Sequence, residues 1–154
     1  LRPTTPDLYA RMVREDAGRL YASKTFLDRY GRIEDTEDLR SAKLIGFDNN
    51  APVMAALNAA GFPVDDSNFV ILTSSYLTMW EMVKAGVAGG LNLETIGDAE
   101  PNVERILPSI PGLPVQFWLV THRELKTSRR IRLVFDFLAE RLKAMKKPPI
   151  PQFG

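Results

Sequence analysis

The sequence contains no cysteine and a single histidine, His122. It therefore has no disulfide framework, no thiolate metal site, no cysteine nucleophile and no site that needs two imidazoles. The absence of cysteine suits the cytoplasm. No apolar run reaches the roughly 20 residues that cross a bilayer, and the first residues lack the charged and then apolar pattern of a signal peptide. We therefore expect a cytoplasmic protein with no membrane partner, no metal and no other cofactor.

Two common nucleotide-binding motifs are also missing. The glycines in VAGGLN (87–92) lack the G-x-G-x-x-G spacing of a dinucleotide site, and no lysine follows them as in a P-loop. Nor does any spacing bring together an acid, a base and a nucleophile, since Asp48, His122 and the serines lie far apart in the sequence. An enzyme is accordingly the least favoured class of function.

The chain is long enough for one folded domain, or for one lobe of a larger one. Its 154 residues are 45% hydrophobic and 25% charged, which is ordinary for a globular protein. Nine of the 20 lysines and arginines lie between Arg123 and Lys147, with only three acids among them. Such a basic helix could bind DNA phosphates, but its apolar stripe favours a packed helix with a solvated charged face. The stripe comprises Ile131, Val134, Phe135, Leu138, Leu142 and Met145.

The stretch 69–90 is the most informative part of the chain. Its first four residues, FVIL, form an apolar run that predicts a strand buried on both faces. Three hydroxyls follow, from Thr73, Ser74 and Ser75, and an apolar stripe then predicts a helix that ends at Gly86. The stripe comprises Tyr76, Met79, Trp80, Val83 and Val87. A helix N-terminus after a strand offers free N–H donors, so we infer that these hydroxyls hold a small anion. The alternative is that they only cap the helix.

The same pattern occurs earlier in the chain. A predicted strand, KLIGF (43–47), leads into Asp48, Asn49 and Asn50, and a predicted helix then runs to Gly61. Two strand-turn-helix units in succession predict parallel strands with both turns at one edge of the sheet. The second set of polar residues would then face the same ligand, unless it merely forms the turn. The other predicted strands are 8–13 and 19–23, separated by a turn at Gly18, a central strand in VAGGLN, and 103–107 and 115–120.

Four segments together resemble the C-terminal, effector-binding part of a LysR-type transcriptional regulator. They are DLYARMV with GRLYAS (7–23), KTFLDRYG with DTEDLRSAKLIGF (24–47), ILTSSYLTMWEMVKAGVAGG (71–90) and WLVTHRELKTSRRIRLVFDFLAERL (118–142). The last is the most specific, because a strand ending in histidine, then Glu-Leu, a serine, Arg-Ile-Arg and a helix containing Phe-Leu typifies the end of these regulators. The resemblance extends from Leu8 to Leu142.

The resemblance implies an α/β fold like that of the type 2 periplasmic binding proteins, with a mostly parallel central sheet flanked by helices. Residues 1–13 would be the crossover from a first lobe that is largely missing, 14–120 the second lobe, 121–147 the returning C-terminal helix and 148–154 a tail. The expected effector site comprises Thr73, Ser74, Ser75, Asp48, Asn49 and, near the crossover, Thr5 with the weaker Thr4. Where the family usually has a proline after its glycine-containing strand, this chain has Leu91-Asn92-Leu93, so the shape of the pocket does not carry over.

The leading functional hypothesis is therefore a sensor of a small anionic effector in a bacterial transcription regulator, without catalytic activity. The effector would bind between two lobes and shift their arrangement. DNA would be bound only through an N-terminal helix-turn-helix domain that this sequence lacks, and the full-length protein would form a homo-oligomer. The alternatives are a lobe of a periplasmic-type solute-binding protein, which shares the fold, and direct DNA binding by the basic helix.

Overall fold

A computed structural model describes residues 5–144 of the chain. These residues divide into two compact units, a larger one formed by 17–113 and a smaller one formed by 5–16 together with 114–144. Thr4, Met145 of the predicted stripe and the predicted tail at 148–154 lie outside the described residues. No helix within 5–144 is long and apolar enough to cross a membrane.

Six strands and six helices make up the described chain. In order they are β1 (Leu8–Ser23), α1 (Lys24–Tyr30), α2 (Thr36–Ser41), β2 (Leu44–Phe47), α3 (Ala51–Ala59), β3 (Phe69–Thr73), α4 (Tyr76–Lys84), β4 (Gly89–Leu93), α5 (Glu94–Gly97), β5 (Val103–Arg105), β6 (Leu113–His122) and α6 (Arg129–Ala144). Short 3-10 turns, Asp66–Asn68 and Leu125–Thr127, precede β3 and α6.

The strands form one mixed sheet in the order β3-β2-β4-β1-β5, with β6 paired to β1 off this path. β2 pairs in parallel with both β3 and β4. β1 pairs antiparallel with β4 and with β5. The predicted α/β class is confirmed, and the predicted parallel pairing is found in the β3-β2-β4 part of the sheet but not at β1.

Local sequence signals set several helix ends in the larger unit. The Ser23 hydroxyl accepts a hydrogen bond from the N–H of Phe26 at 3.1 Å and so begins α1. Asp35 and Asp38 form a reciprocal capping box at the start of α2. Gly86 has a φ of +79°, the left-handed conformation that favours glycine, and ends α4 as the sequence predicted.

One side of α4 packs into the core of the larger unit. Met79, Trp80 and Val83 of its predicted stripe are buried, and the rings of Trp80 and Tyr21 meet edge to face at 6.1 Å between centroids. Gly90 of β4 lies beneath this helix, since a Cβ there would come within 2.8 Å of the Val83 side chain. The close approach of α4 therefore explains why β4 has glycine, without a side chain, at this position.

The two strands predicted at 8–13 and 19–23 are wrong, because the structure has one strand, β1, of 16 residues. Gly18 makes no turn: it lies opposite Leu93 in the antiparallel pairing with β4. The polar residues that interrupt the apolar alternation are accommodated within the strand. Asp16 is 6% exposed, and its carboxylate accepts a hydrogen bond from the guanidinium of Arg14 at 2.6 Å.

The prediction that β3 is buried on both faces is also wrong. Val70 and Leu72 are 50% and 52% exposed, while the alternate residues Phe69 and Ile71 are partly buried against the core. β3 lies at the end of the sheet, and the described residues cover only the face that carries Phe69 and Ile71. A continuous apolar run cannot by itself distinguish such an edge strand from a central one.

In the smaller unit, only part of the apolar stripe of α6 is buried. Phe135 is buried, and its ring contacts that of Tyr9 with centroids 5.5 Å apart. Ile131, Val134 and Leu138 are 36%, 54% and 40% exposed. The expected packed helix is therefore only partly found, because the described part of this unit supplies too few neighbours to cover the whole stripe.

A buried polar network ties β1 to α5 and β5 in the larger unit. Arg19 of β1 pairs with Glu94, which is 6% exposed. Arg105 of β5 donates through Nε to Asp98 at 2.7 Å, and Asp98 also accepts from the Tyr21 hydroxyl at 2.8 Å. Burial, reinforced by Asp98, raises the pKa of Tyr21 well above its usual value, so the phenol remains a protonated donor at neutral pH.

Asn68 links the turn before β3 to the end of α2. Its side chain is 1% exposed, and Nδ2 donates to the carbonyls of Leu39 and Ala42, both at 2.9 Å. Its Oδ1 accepts from the N–H of Asp65 at 2.8 Å. Nδ2 also donates to the carbonyl of Arg40 at 3.2 Å, so one buried carboxamide bonds to four backbone groups of this turn and of the end of α2.

Replacing Asn68 with aspartate should destabilise the protein by about 2–4 kcal/mol, because three carbonyls lose a donor and a carboxylate is buried against their oxygens. Urea unfolding measures the change. The control Asn102→Asp adds the same charge at an exposed position and should alter the free energy of unfolding by less than about 0.5 kcal/mol. Equal losses for the two variants would contradict the assigned role of Asn68.

Candidate functional site

The carboxyl ends of three parallel strands come together at one edge of the larger unit. Phe47, the last residue of β2, lies opposite Thr73, the last residue of β3. β4 runs in the same direction on the other side of β2. The turns after β2 and β3 are therefore neighbours, as the repeated strand-turn-helix pattern predicted. In open α/β sheets this is the edge at which ligands bind.

The three hydroxyls of the second turn have different local roles. Ser75 is the N-cap of α4, and its Oγ accepts from the N–H of Thr78 at 3.2 Å. Thr73 Oγ1 accepts from the N–H of Ser75 at 3.1 Å. Ser74 is exposed, and no partner for its hydroxyl is found within residues 5–144. Helix capping thus accounts for Ser75, whereas the Ser74 hydroxyl is available to a ligand.

Tyr76, the first residue of α4, connects this turn to the end of β4. Its hydroxyl donates to Oδ1 of Asn92, and its ring lies parallel to that of Phe47, with an interplanar angle of 3° and 6.4 Å between centroids. Asn92 is 1% exposed, and its Oδ1 also accepts from the N–H of Leu93 at 2.8 Å. The bond from the Leu93 N–H, which can only donate, fixes which end of the amide carries the oxygen.

The nitrogen of the same carboxamide is left without an acceptor. Nδ2 of Asn92 is buried and has no hydrogen-bond partner in the described part of the chain. A buried donor that makes no hydrogen bond costs about 1–3 kcal/mol. An oxygen atom of a ligand is one partner that would remove this cost.

Asn50 presents a second such group at the end of β2. Its side chain makes no capping bond to α3; instead Oδ1 accepts from the N–H of Phe47 at 3.4 Å. Its Nδ2 is buried and, among residues 5–144, likewise unpartnered. Gly46 allows this placement, since a Cβ there would lie 2.7 Å from Asn50 Oδ1. Two strand ends at this edge therefore carry unused N–H donors.

The remaining residues of the expected site are placed as follows. Asp48 and Asn49 are exposed in the turn after β2, beside the turn that carries the hydroxyls. Thr5 belongs to the smaller unit, where it is exposed and its carbonyl accepts from the N–H of Leu8 at 3.1 Å. Within residues 5–144 no cluster of histidine, aspartate and glutamate has the arrangement of a metal site.

Sequence reasoning misses Phe47, Tyr76 and Asn92 as candidate site residues. Tyr76 falls on the apolar stripe of α4 and is therefore expected in the core, yet it is 36% exposed. For Asn92 a signal does exist, because a carboxamide within an otherwise small and apolar strand needs a specific reason to be buried there. Phe47 carries no signal beyond its place at the end of a strand.

Comparison with protein families gives a match over nearly the whole chain. The family described as the LysR substrate binding domain covers residues 1–143. The chain belongs to this family. No curated protein matches it significantly. The family is a domain of transcription regulators and not a family of enzymes.

Solved structures of LysR-type regulators share the fold of this LysR substrate-binding domain. The regulatory domain of CrgA from Neisseria meningitidis is 24% identical with a TM-score of 0.79, and the match covers 91% of this chain and 71% of that one. The regulatory domain of the C227S variant of AphB from Vibrio vulnificus is 16% identical with a TM-score of 0.70, covering 90% and 73%. Full-length CbnR complexed with its target DNA is 15% identical with a TM-score of 0.63, covering 92% and 50%. The chain thus spans about half the length of full-length CrgA and CbnR.

Substituting Ser75 with alanine should lower the free energy of unfolding by about 1 kcal/mol, because α4 loses its N-cap. The matched change Ser74→Ala, one residue earlier, should leave stability within about 0.5 kcal/mol of the original, since its hydroxyl makes no bond. Thermal unfolding of the two variants distinguishes them. A loss of stability in Ser74→Ala as large as that in Ser75→Ala would show that the cap has been assigned to the wrong serine.

Proposed function

We propose that this LysR substrate-binding domain senses a small anionic effector at the carboxyl edge of β2, β3 and β4, without converting it chemically. The observation that carries the proposal is the buried Nδ2 of Asn92, a donor without an acceptor. Ser74 and Asn50 add a free hydroxyl and a second unpartnered amide at the same edge. Amide nitrogens donate only, and a carboxylate accepts only, so the two are complementary.

The first turn of α4 adds to this preference. The N-terminus of a helix carries roughly half a positive charge, which favours an anion placed next to it. α4 begins directly after the hydroxyl turn, and its own sequence contains no acid in the first turn. Asp48 is the acidic residue of the neighbouring turn, and it is exposed, so water screens its charge.

Tyr76 controls access to Asn92 in this proposal. Its side chain lies over the end of β4 and is partly exposed, so it can move without opening the core. A carboxylate reaches Nδ2 when the phenol moves aside, and the bound state is then favoured by a hydrogen bond that the free state lacks. A ligand that binds one conformation better than the other shifts their populations by that difference in affinity.

In the full regulator, we propose, this shift is passed to a DNA-binding domain of the helix-turn-helix type. CbnR, which has been solved with its target DNA, is the relative that supports a DNA-binding role for the whole protein. The same proposal makes the full protein a cytoplasmic homo-oligomer that holds its effector between two lobes. It assigns residues 14–120 to one ligand-binding lobe and 121–147 to a returning helix.

A thermal-shift screen of this chain against small carboxylates tests the proposal. A ligand that binds only the native state stabilises it by about 2.7 kcal/mol at a hundredfold excess over its Kd. We expect at least one carboxylate to raise the melting temperature. In Tyr76→Phe its affinity should rise about fivefold, because the free state no longer has the Tyr76–Asn92 hydrogen bond that binding breaks.

Tyr30→Phe is the matched control, since it removes a phenol hydroxyl from a residue that is 65% exposed and distant from this edge in the sequence. Its ligand affinity should equal that of the unmodified protein. A carboxylate that binds Tyr76→Phe and Tyr30→Phe equally well would place the ligand elsewhere. A response to none of the carboxylates would count against effector sensing by this edge.

A further inference from the structure

A second feature of the larger unit lies beside β5, the strand at the other end of the sheet from β3. In the strand order β3-β2-β4-β1-β5, the hydroxyl turn follows β3 at one end, and β5 lies at the other. Beside β5 is a cavity of about 320 Å³. This volume is within the range of about 300–1,000 Å³ that is typical of small-molecule sites. The cavity does not overlap the candidate effector site.

Apolar side chains form one part of the cavity wall. Leu27 of α1 and Ile106, which follows β5, are 5% and 3% exposed, and both belong to the core. Ile33 packs partly buried against them, and Pro108 completes this part of the wall. The wall is therefore fixed by the core of the unit and offers a rigid apolar surface to a short hydrocarbon chain.

Charged side chains form the rest of the wall, and both arginines among them are already paired. Arg32 donates to Glu104 at 2.8 Å. Arg105 donates to both oxygens of Asp98, at 2.7 and 2.5 Å. The nearby carboxylates, Glu104 above all, raise the pKa of the Arg32 guanidinium, which therefore stays charged. Neither guanidinium is a vacant anion site.

The carboxylate of Glu34, by contrast, interacts in the described part of the chain only at longer range, with the Arg32 guanidinium. The backbone N–H of Glu34 donates to Asp38 at 3.0 Å, which fixes the residue in its loop, but its side chain accepts no hydrogen bond and forms no ion pair. With the ion-pair partners of the wall included, three guanidinium groups face four carboxylates, so the cavity favours a cation; the groups belong to Arg19, Arg32, Arg105, Glu34, Glu94, Asp98 and Glu104.

The loop beyond β5 is held in a strained conformation next to the cavity. Leu107, between two lining residues, has a φ of +48° and is the one residue other than glycine with a positive φ among those described. Such a conformation costs about 1–3 kcal/mol and persists only where the surroundings impose it. The loop that contains Leu107 is held on both sides, by Arg19, which donates to the carbonyl of Ile110 at 2.6 Å, and by the N–H of Ile106, which donates to the carbonyl of Leu20 at 2.8 Å. The cavity wall is therefore pre-formed.

We propose that this cavity is a second ligand site, which takes a small organic ammonium ion with a short apolar chain. The chain lies on Leu27, Ile33 and Ile106, and the ammonium group donates to Glu34 and Glu104. This inference is independent of the proposed effector site, because it uses different residues, which lie beside β5, and a ligand of opposite charge.

The test uses n-butylammonium, n-butanol and butyrate as probes of the unmodified chain, with binding followed by calorimetry and by chemical shifts of the Ile33 and Ile106 methyl groups. We expect n-butylammonium to bind and to shift both methyl signals. n-Butanol and butyrate should bind at least about tenfold more weakly, because they cannot donate a charged hydrogen bond to a carboxylate.

Glu34→Gln should weaken n-butylammonium binding about tenfold, and the control Glu37→Gln, at an exposed position of α2, should not change it. Both positions lie on the surface, so neither variant is expected to unfold. Absence of n-butylammonium binding, equal binding of n-butanol, or unchanged binding by Glu34→Gln would each overturn the proposal. These results leave the carboxylate test of the other edge unaffected.

Discussion

The parallel pairing of β2 with β3 on one side and β4 on the other is the constraint on which the candidate site depends. Parallel strands end on the same edge of a sheet, so three separate segments deliver their next residues to one place. The turn after β2 carries carboxamides, the turn after β3 carries hydroxyls, and Asn92 is the next-to-last residue of β4. Without this pairing, Ser74, Asn50 and Asn92 would be unrelated polar residues. With it, they form one edge that is rich in hydrogen-bond donors and low in acceptors.

β1 fixes the position of this edge through its antiparallel pairing with β4. Gly18 lies opposite Leu93 at the end of β4, and Arg19 of the same strand binds Glu94 at the start of α5. The position of Asn92 is therefore set by a strand pairing on one side and a buried ion pair two residues later. A buried pair of this kind is poor evidence for added stability, since desolvation offsets its attraction. Its role here is positional, because it fixes where β4 ends and hence where the unpartnered amide lies.

The sequence predicts most of the elements and the general location of the site. Ser23, the acids around Asp35 and the glycine at 86 act through local bonds and backbone preferences, so the helices that they bound are found where expected. The failures have a common cause, which is that periodicity carries no information on the neighbours of an element. Gly18 is read as a turn although pairing with Leu93 keeps it extended, and FVIL is read as central although β3 is an edge strand. Likewise the contact of Tyr76 with Asn92 joins residues 16 apart in the sequence and leaves no trace in either local pattern.

The most direct test of this account is nuclear magnetic resonance of the 15N-labelled chain, titrated with a carboxylate that raises its melting temperature. We expect the side-chain NH₂ signals of Asn92 to shift with ligand concentration, together with the backbone signals of Ser74 and Asn50, while residues of α6 are unaffected. A downfield shift of the Asn92 protons would indicate that Nδ2 has gained an acceptor. Shifts that leave Asn92 and Ser74 unchanged, with the ligand bound elsewhere on the chain, would contradict the central claim that the carboxyl edge of β2, β3 and β4 is the effector site.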